Sequence, residues 1–143
     1  MDYTITKLDL SKKGLLQLPD LSIYYNLIEL NCSHNNLTDL NNLPQTLKIL
    51  HCNNNFIVKL DNLPLGLQKL YCWYNNITAL DNLPLGLKYL YCYHNNITIF
   101  DNLPQTLHTL CCHHNNITIS RYTYFILFYF IVLCLGLAVW VWV

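Results

Sequence analysis

The chain has 143 residues, and its eight basic and eight acidic side chains cancel to a formal net charge of zero. That length suits one modest core. The charges are scattered singly, apart from Lys12 and Lys13, so no broad field is expected to draw the chain to nucleic acid or to acidic partners. The 53% hydrophobic content joins two unlike regions, an asparagine-rich body and an apolar carboxyl-terminal run.

The start, Met1-Asp2-Tyr3-Thr4-Ile5-Thr6-Lys7, lacks an apolar stretch behind a basic cluster, so no cleavable secretory signal is expected. The seven cysteines are then expected as thiols in a reducing compartment. Five of them follow the period of the chain, not the spacing of a disulfide framework.

Along residues 1–119 the sequence repeats. A first, irregular coil at 5–26 keeps apolar positions at Ile5, Leu8, Leu10, Leu15 and Leu18, with Lys13 where later coils have asparagine. The step from Ile5 to Leu27 is 22 residues; afterwards it is 20. Leu27, Leu30, Cys32, Asn35, Leu37 and Leu40 set the pattern, with Tyr24 in place of the proline found at Pro44, Pro64, Pro84 and Pro104. From Leu43 to Asn116 the unit is L-P-x-x-L-x-x-L-x-C-x-x-N-x-I-x-x-L-D-N, and residues 63–82 and 83–102 agree at 14 of 20 positions. A strict period of this length predicts one short coil stacked on itself, about six times, with atypical ends that cap the stack.

Within a coil, Leu30-Asn31-Cys32, Leu50-His51-Cys52, Leu70-Tyr71-Cys72 and Leu90-Tyr91-Cys92 alternate apolar and variable residues, the mark of a short strand buried on one face. Side by side the strands form a parallel sheet with a spacing of ~4.8 Å. Leu-Asp-Asn-Leu-Pro closes each coil with turn chemistry and leaves no room for a helix.

The motif L-x-x-L-x-C-x-x-N-x-I resembles the leucine-rich repeat signature, with Cys at the third apolar position. The twenty-residue unit and its Leu-Pro opening look like the shortest class of that family, found in bacterial effector proteins and in giant DNA viruses. The resemblance covers residues 5 to 119. It implies an arc-shaped repeat solenoid, with a short-stranded parallel sheet on the concave side and a non-helical convex side. Members of the class with ligase activity carry a separate catalytic domain, and no such domain is recognisable here.

Three columns are expected to hold the stack together. Leu27, Leu47, Leu67, Leu87 and Leu107, with Leu30, Leu50, Leu70, Leu90 and Leu110, face inward, each stabilising by roughly 1.5–3 kcal/mol. Cys32, Cys52, Cys72, Cys92 and Cys112 share that side as small hydrophobes. Asn35, Asn55, Asn75, Asn95 and Asn115 are expected to pair with backbone groups left open where the strand turns.

Function is sought on the solvent face, where the variable residues lie. His51, Tyr71, Trp73, Tyr91, Tyr93 and His113 form an expected aromatic patch, and exposed clusters of Tyr and Trp are typical anchors for a protein partner. No metal site is expected from Cys111-Cys112-His113-His114, because strand alternation turns Cys112 away from Cys111 and His113 and leaves too few ligands for a tetrahedral set. The Asn-x-Thr triplets at Asn36, Asn76, Asn96 and Asn116 arise from the repeat itself, and without a secretory signal no glycosylation is expected. No nucleophile–base pair, carboxylate pair or glycine-rich phosphate loop is found, so neither catalysis, a cofactor nor a small-molecule substrate is expected.

The last 22 residues, 122–143, carry no charge. As a helix they would extend ~33 Å, enough for a hydrocarbon layer of ~30 Å. Arg121 marks the near boundary, and Tyr122, Tyr124, Trp140 and Trp142 lie near the two ends, where interfacial anchors sit. The segment 120–143 is therefore expected to be a transmembrane tail anchor that leaves the repeats in the cytosol. A cap folded over the last coil and an early-ending reading frame are the competing readings. The expected function is a non-enzymatic, membrane-anchored module that binds a protein through its concave strand face; the alternative is a purely structural repeat protein.

Overall fold

The computed structural model describes residues 4–100 and 102–118. The expected membrane segment and its helix lie outside the described residues. Among the described residues no helix is long and apolar enough to cross a membrane, and none is found at all.

Six three-residue strands form one parallel sheet in sequence order: β1 (Lys7–Asp9), β2 (Glu29–Asn31), β3 (Ile49–His51), β4 (Lys69–Tyr71), β5 (Tyr89–Tyr91) and β6 (Thr109–Cys111). Five turns of the coil join them. Register is constant: Leu30 pairs with Leu50, Leu50 with Leu70, Leu70 with Leu90 and Leu90 with Leu110. The 22-residue first step is absorbed before β2, and Leu8 still pairs with Leu30.

Only one residue of each strand points inward. Leu30, Leu50, Leu70 and Leu90 are fully buried, with Cys32, Cys52, Cys72 and Cys92 beside them. The strands begin one residue earlier than the Leu-x-Cys triplets imply, so the outward face is wider than expected. On the far side of the coil, Pro44, Pro64, Pro84 and Pro104 accept hydrogen bonds from the amides of Leu47, Leu67, Leu87 and Leu107. Tyr24 takes the same role for Leu27 at 3.1 Å. A carbonyl is all the turn requires there, so the exchange of proline for tyrosine leaves it intact.

The asparagine column is a ladder of backbone links. Asn75 Nδ2 donates to the carbonyls of Cys52 and Cys72, each at 3.0 Å, and Asn75 Oδ1 accepts from the amide of Ile57 at 3.0 Å. Asn55, Asn95 and Asn115 repeat the arrangement. The first coil, which lacks the asparagine, is tied on in the same way by Asn35. Its Nδ2 donates to the carbonyls of Leu10 and Cys32, and its Oδ1 accepts from the amide of Leu15 and additionally from that of Lys13. No buried side-chain nitrogen or oxygen among the described residues lacks a partner. Each amide thus ties its own strand end to the coil before it, and sets the height at which every outward side chain stands.

Candidate functional site

Stacking at constant register turns the outward positions into straight columns. One runs Asn31, His51, Tyr71, Tyr91 and Cys111; the next runs Ser33, Asn53, Trp73, Tyr93 and His113. The coil spacing of ~4.8 Å lies close to the separation at which rings stack. His51 and Tyr71 have centroids 4.4 Å apart with planes 5° from parallel, and Tyr71 and Tyr91 follow at 4.9 Å and 13°. In the neighbouring column Trp73 and Tyr93 stack at 5.3 Å, and Tyr93 and His113 at 4.7 Å. Tyr71 and Trp73 meet edge to face at 5.8 Å, which joins the two columns. All six residues expected at the site therefore stand on one face. His51, Tyr71, Trp73, Tyr91 and Tyr93 are half-buried and His113 is exposed.

Two further columns belong to this face. One begins each strand: Glu29, Ile49, Lys69, Tyr89 and Thr109. Here Lys69 Nζ lies 5.2 Å from the centre of the Tyr89 ring. The other occupies the turn after the strand: His34, Asn54, Tyr74, His94 and His114. Tyr74 stacks on His94 at 4.3 Å, and His94 on His114 at 4.2 Å. This last column has left-handed backbone, with φ between 51° and 55°. Asparagine and histidine are comparatively frequent in that conformation, whereas a bulky tyrosine is not. Its signal in the sequence is simple, since each of these residues immediately precedes the ladder asparagine of its coil.

The electrostatics differ along the stack. Glu29 lies 2.8 Å from Lys7, and the hydrogen bond from that ammonium holds its carboxyl below the usual range. A hydrogen bond from Ser11 does the same for Asp9. His51, 3.7 Å from Glu29, is lowered by partial burial, with Glu29 and Asp9 opposing the shift. At the other end partial desolvation lowers His94, and the neighbouring His114 and His113 lower it further. Burial pushes Tyr93 upward. It also pushes the Cys32 thiol up to about 12, and the thiols of Cys52, Cys72 and Cys92 well above their ordinary value. These inward sulfurs are inert packing groups.

Cys111 is half-buried on the outward side and Cys112 is buried. Among the described residues no three His, Cys, Asp or Glu side chains are placed to hold a metal ion. The described concavities lie elsewhere: an open groove of about 290 Å³ runs along the turns, lined by Thr38, Asp39, Leu40, Val58, Lys59 and Asp61 among others. The strand face is thus a continuous wall of stacked aromatic and imidazole rings, suited to contact with a broad surface.

No protein-family model matches the chain, and a search of curated proteins finds no match. Solved structures do resemble it. YopM from Yersinia enterocolitica superposes with a TM-score of 0.67 at 32% identity, over 76% of this chain and 25% of that one. A Shigella effector leucine-rich repeat domain gives 0.61 at 27% identity, over 82% of this chain and 62% of that one. Internalin C2 from Listeria monocytogenes shares the fold, with a TM-score of 0.64 at 22% identity over 82% of this chain and 53% of that one. The chain spans less than two thirds of each of these proteins.

Proposed function

We propose, proceeding from the leucine-rich repeat fold that this chain has, that the protein is a non-enzymatic interaction module whose strand face captures a protein partner. One observation carries this reading: Tyr71, Trp73, Tyr91 and Tyr93 stand in register on a sheet face that no other described segment covers. Half-exposed aromatic groups held rigid by stacking lose little entropy when a partner lands on them. The fold's resemblance to leucine-rich effectors of bacteria supports the same reading, and the twenty-residue Leu-Pro unit supports placing the chain in the shortest class of such repeats, alongside those of giant DNA viruses.

The uncharged run at 122–143 supports anchoring in a membrane with the repeats in the cytosol. Cell fractionation tests that part: the full chain is expected in the membrane fraction, and a chain lacking residues 121–143 in the soluble one. Equal partitioning of the two overturns it.

Binding is tested by affinity capture from cell lysate with the full chain, compared with a variant carrying alanine at Tyr71, Trp73, Tyr91 and Tyr93. A protein recovered with the first and lost with the second is the expected result. Recovery that survives the substitutions, or no recovery above a bare matrix, overturns the reading and leaves a purely structural stack.

A further inference from the structure

Charges that cancel over the whole chain become sorted once the coils stack. On the outward columns of β1 and β2, Asp9 and Glu29 supply carboxylates, and Glu29 is engaged by Lys7. From β4 onward there are none: residues 69–74, 89–94 and 109–114 contain no Asp or Glu, yet contain Lys69, His94, His113 and His114. Asp61 and Asp81 lie instead in the turns on the far side of the coil. Half of the strand face is therefore free of carboxylates and carries one fixed positive charge.

The rings on that half have used their own faces. Tyr71 is sandwiched between His51 and Tyr91, Tyr93 between Trp73 and His113, and His94 between Tyr74 and His114. With those faces stacked on one another, what the rings have left to offer a partner is chiefly their edges, the positive part of an aromatic ring, and their phenol O–H, indole N–H and imidazole N–H groups. A base or a sugar that needs an open ring face finds few here. An acceptor-rich, negatively charged group meets donors and positive edges in rows.

We propose that the outward face of β4 to β6 is a docking surface for a carboxylate-rich segment of the partner protein. Lys69 makes the charge contact, while the edges of Tyr71, Trp73, Tyr93 and His94 supply the hydrogen bonds. This rests on the reading that the strand face binds a protein, and it adds the chemistry of what is bound.

The test uses the full chain in a neutral detergent and three fluorescein-labelled dodecapeptides, alternating Glu-Ser, Gln-Ser and Lys-Ser, read by anisotropy at neutral pH and low salt. The Glu-Ser peptide is expected to bind at least about tenfold more tightly than the other two, because hydrogen bonds to charged groups are the stronger class. Lys69→Gln is expected to weaken it several-fold. Tyr71→Phe with Tyr93→Phe keeps every ring stack and deletes two donors, so about a tenfold loss is expected from a folded protein.

Equal binding of the three peptides overturns the proposal, as does an unchanged affinity in the Tyr→Phe variant. So does tighter binding of oligothymidylate or of a maltodextrin. If any of these occurs while the alanine variant still fails to capture a cellular protein, the partner reading stands and only the carboxylate assignment falls. If the alanine variant both binds the Glu-Ser peptide undiminished and still captures the cellular protein, docking lies elsewhere and both fall.

Discussion

The inward and outward sides of the same strands are built under different constraints. Inward, Cys32, Cys52, Cys72, Cys92 and Cys112 are one residue type in five successive coils, between leucines with almost no exposure. Outward and one residue on, the series reads Ser33, Asn53, Trp73, Tyr93 and His113. A change of side-chain volume inside must be met by both neighbouring coils, so each inward site limits the next. An outward site, buried as it is at Ser33 and Asn53, meets its neighbours through ring stacking, ion pairs and a cation–ring contact, and can vary without disturbing the ladder beneath it. Uniformity therefore reports the fold, and departure from uniformity reports what the fold presents.

The contrast is testable first through thiol chemistry. A thiol pushed from 9.0 to about 12, as at Cys32, holds ~1000-fold less thiolate at pH 8. Alkylation of the folded chain followed by peptide mass mapping is expected to spare Cys32, Cys52, Cys72 and Cys92, and to modify them only in denaturant. Rapid labelling of Cys72 in the native chain would contradict its inward placement.

Next in size is the ladder itself. Asn75→Ala strands the Ile57 amide, a buried donor that costs ~1–3 kcal/mol when unpaired. It also removes one of the two side-chain donors at each of the Cys52 and Cys72 carbonyls, which keep Asn55 and Asn95. A loss of about 3 kcal/mol is expected in denaturant unfolding, against about 0.5 kcal/mol for the exposed neighbour Asn76→Ala. Comparable losses at the two positions would remove the distinction between inward and outward sites.

At a single strand, Leu70→Ala is expected to cost about 3 kcal/mol through the cavity it opens. The adjacent Tyr71→Ala gives up two ring stacks and one edge contact of a half-exposed ring, for about 1–2 kcal/mol. Reversal of that order in thermal unfolding would mean the aromatic columns, not the core, hold the coils together.

The smallest effect concerns His94. Its folded pKa is depressed by desolvation and by His114 and His113, so the folded chain takes up that proton less readily than the unfolded chain does. The contribution to stability is present above the ordinary value of 6.5 and declines as pH falls through it toward the folded pKa. An NMR titration of the ring protons is expected to place His94 below 6.5, and His114→Gln to move it upward. An unmoved midpoint would show that the imidazole column is not electrically coupled.

The parts of the fold that were legible in the sequence are those written twenty residues apart. Leu70, Cys72, Asn75 and Ile77 recur with their neighbours, and their burial and pairing follow. The six expected aromatic and histidine positions were legible because period two places them opposite Leu70 and Cys72. The strand-initial column was not, since Lys69 and Tyr89 fall between the two inward leucines of a coil, where alternation breaks down. Nor was the turn column, because Tyr74 and His94 sit on left-handed backbone that alternation cannot describe. The sorting of carboxylates was hidden for another reason: Asp81 lies only ten residues from Tyr91 in sequence, yet folding carries the two to different sides of the coil.

Contacts between strands occur only between successive ones, and the bonds that fix one coil's height refer to the coil before it. A slip in copying the gene by one whole unit would consequently insert another rung without asking anything of distant rungs. The pair at 63–82 and 83–102 has the look of such an event. Lengthening the molecule and widening its contact area are then a single genetic step, with Tyr91 arriving already aligned over Tyr71.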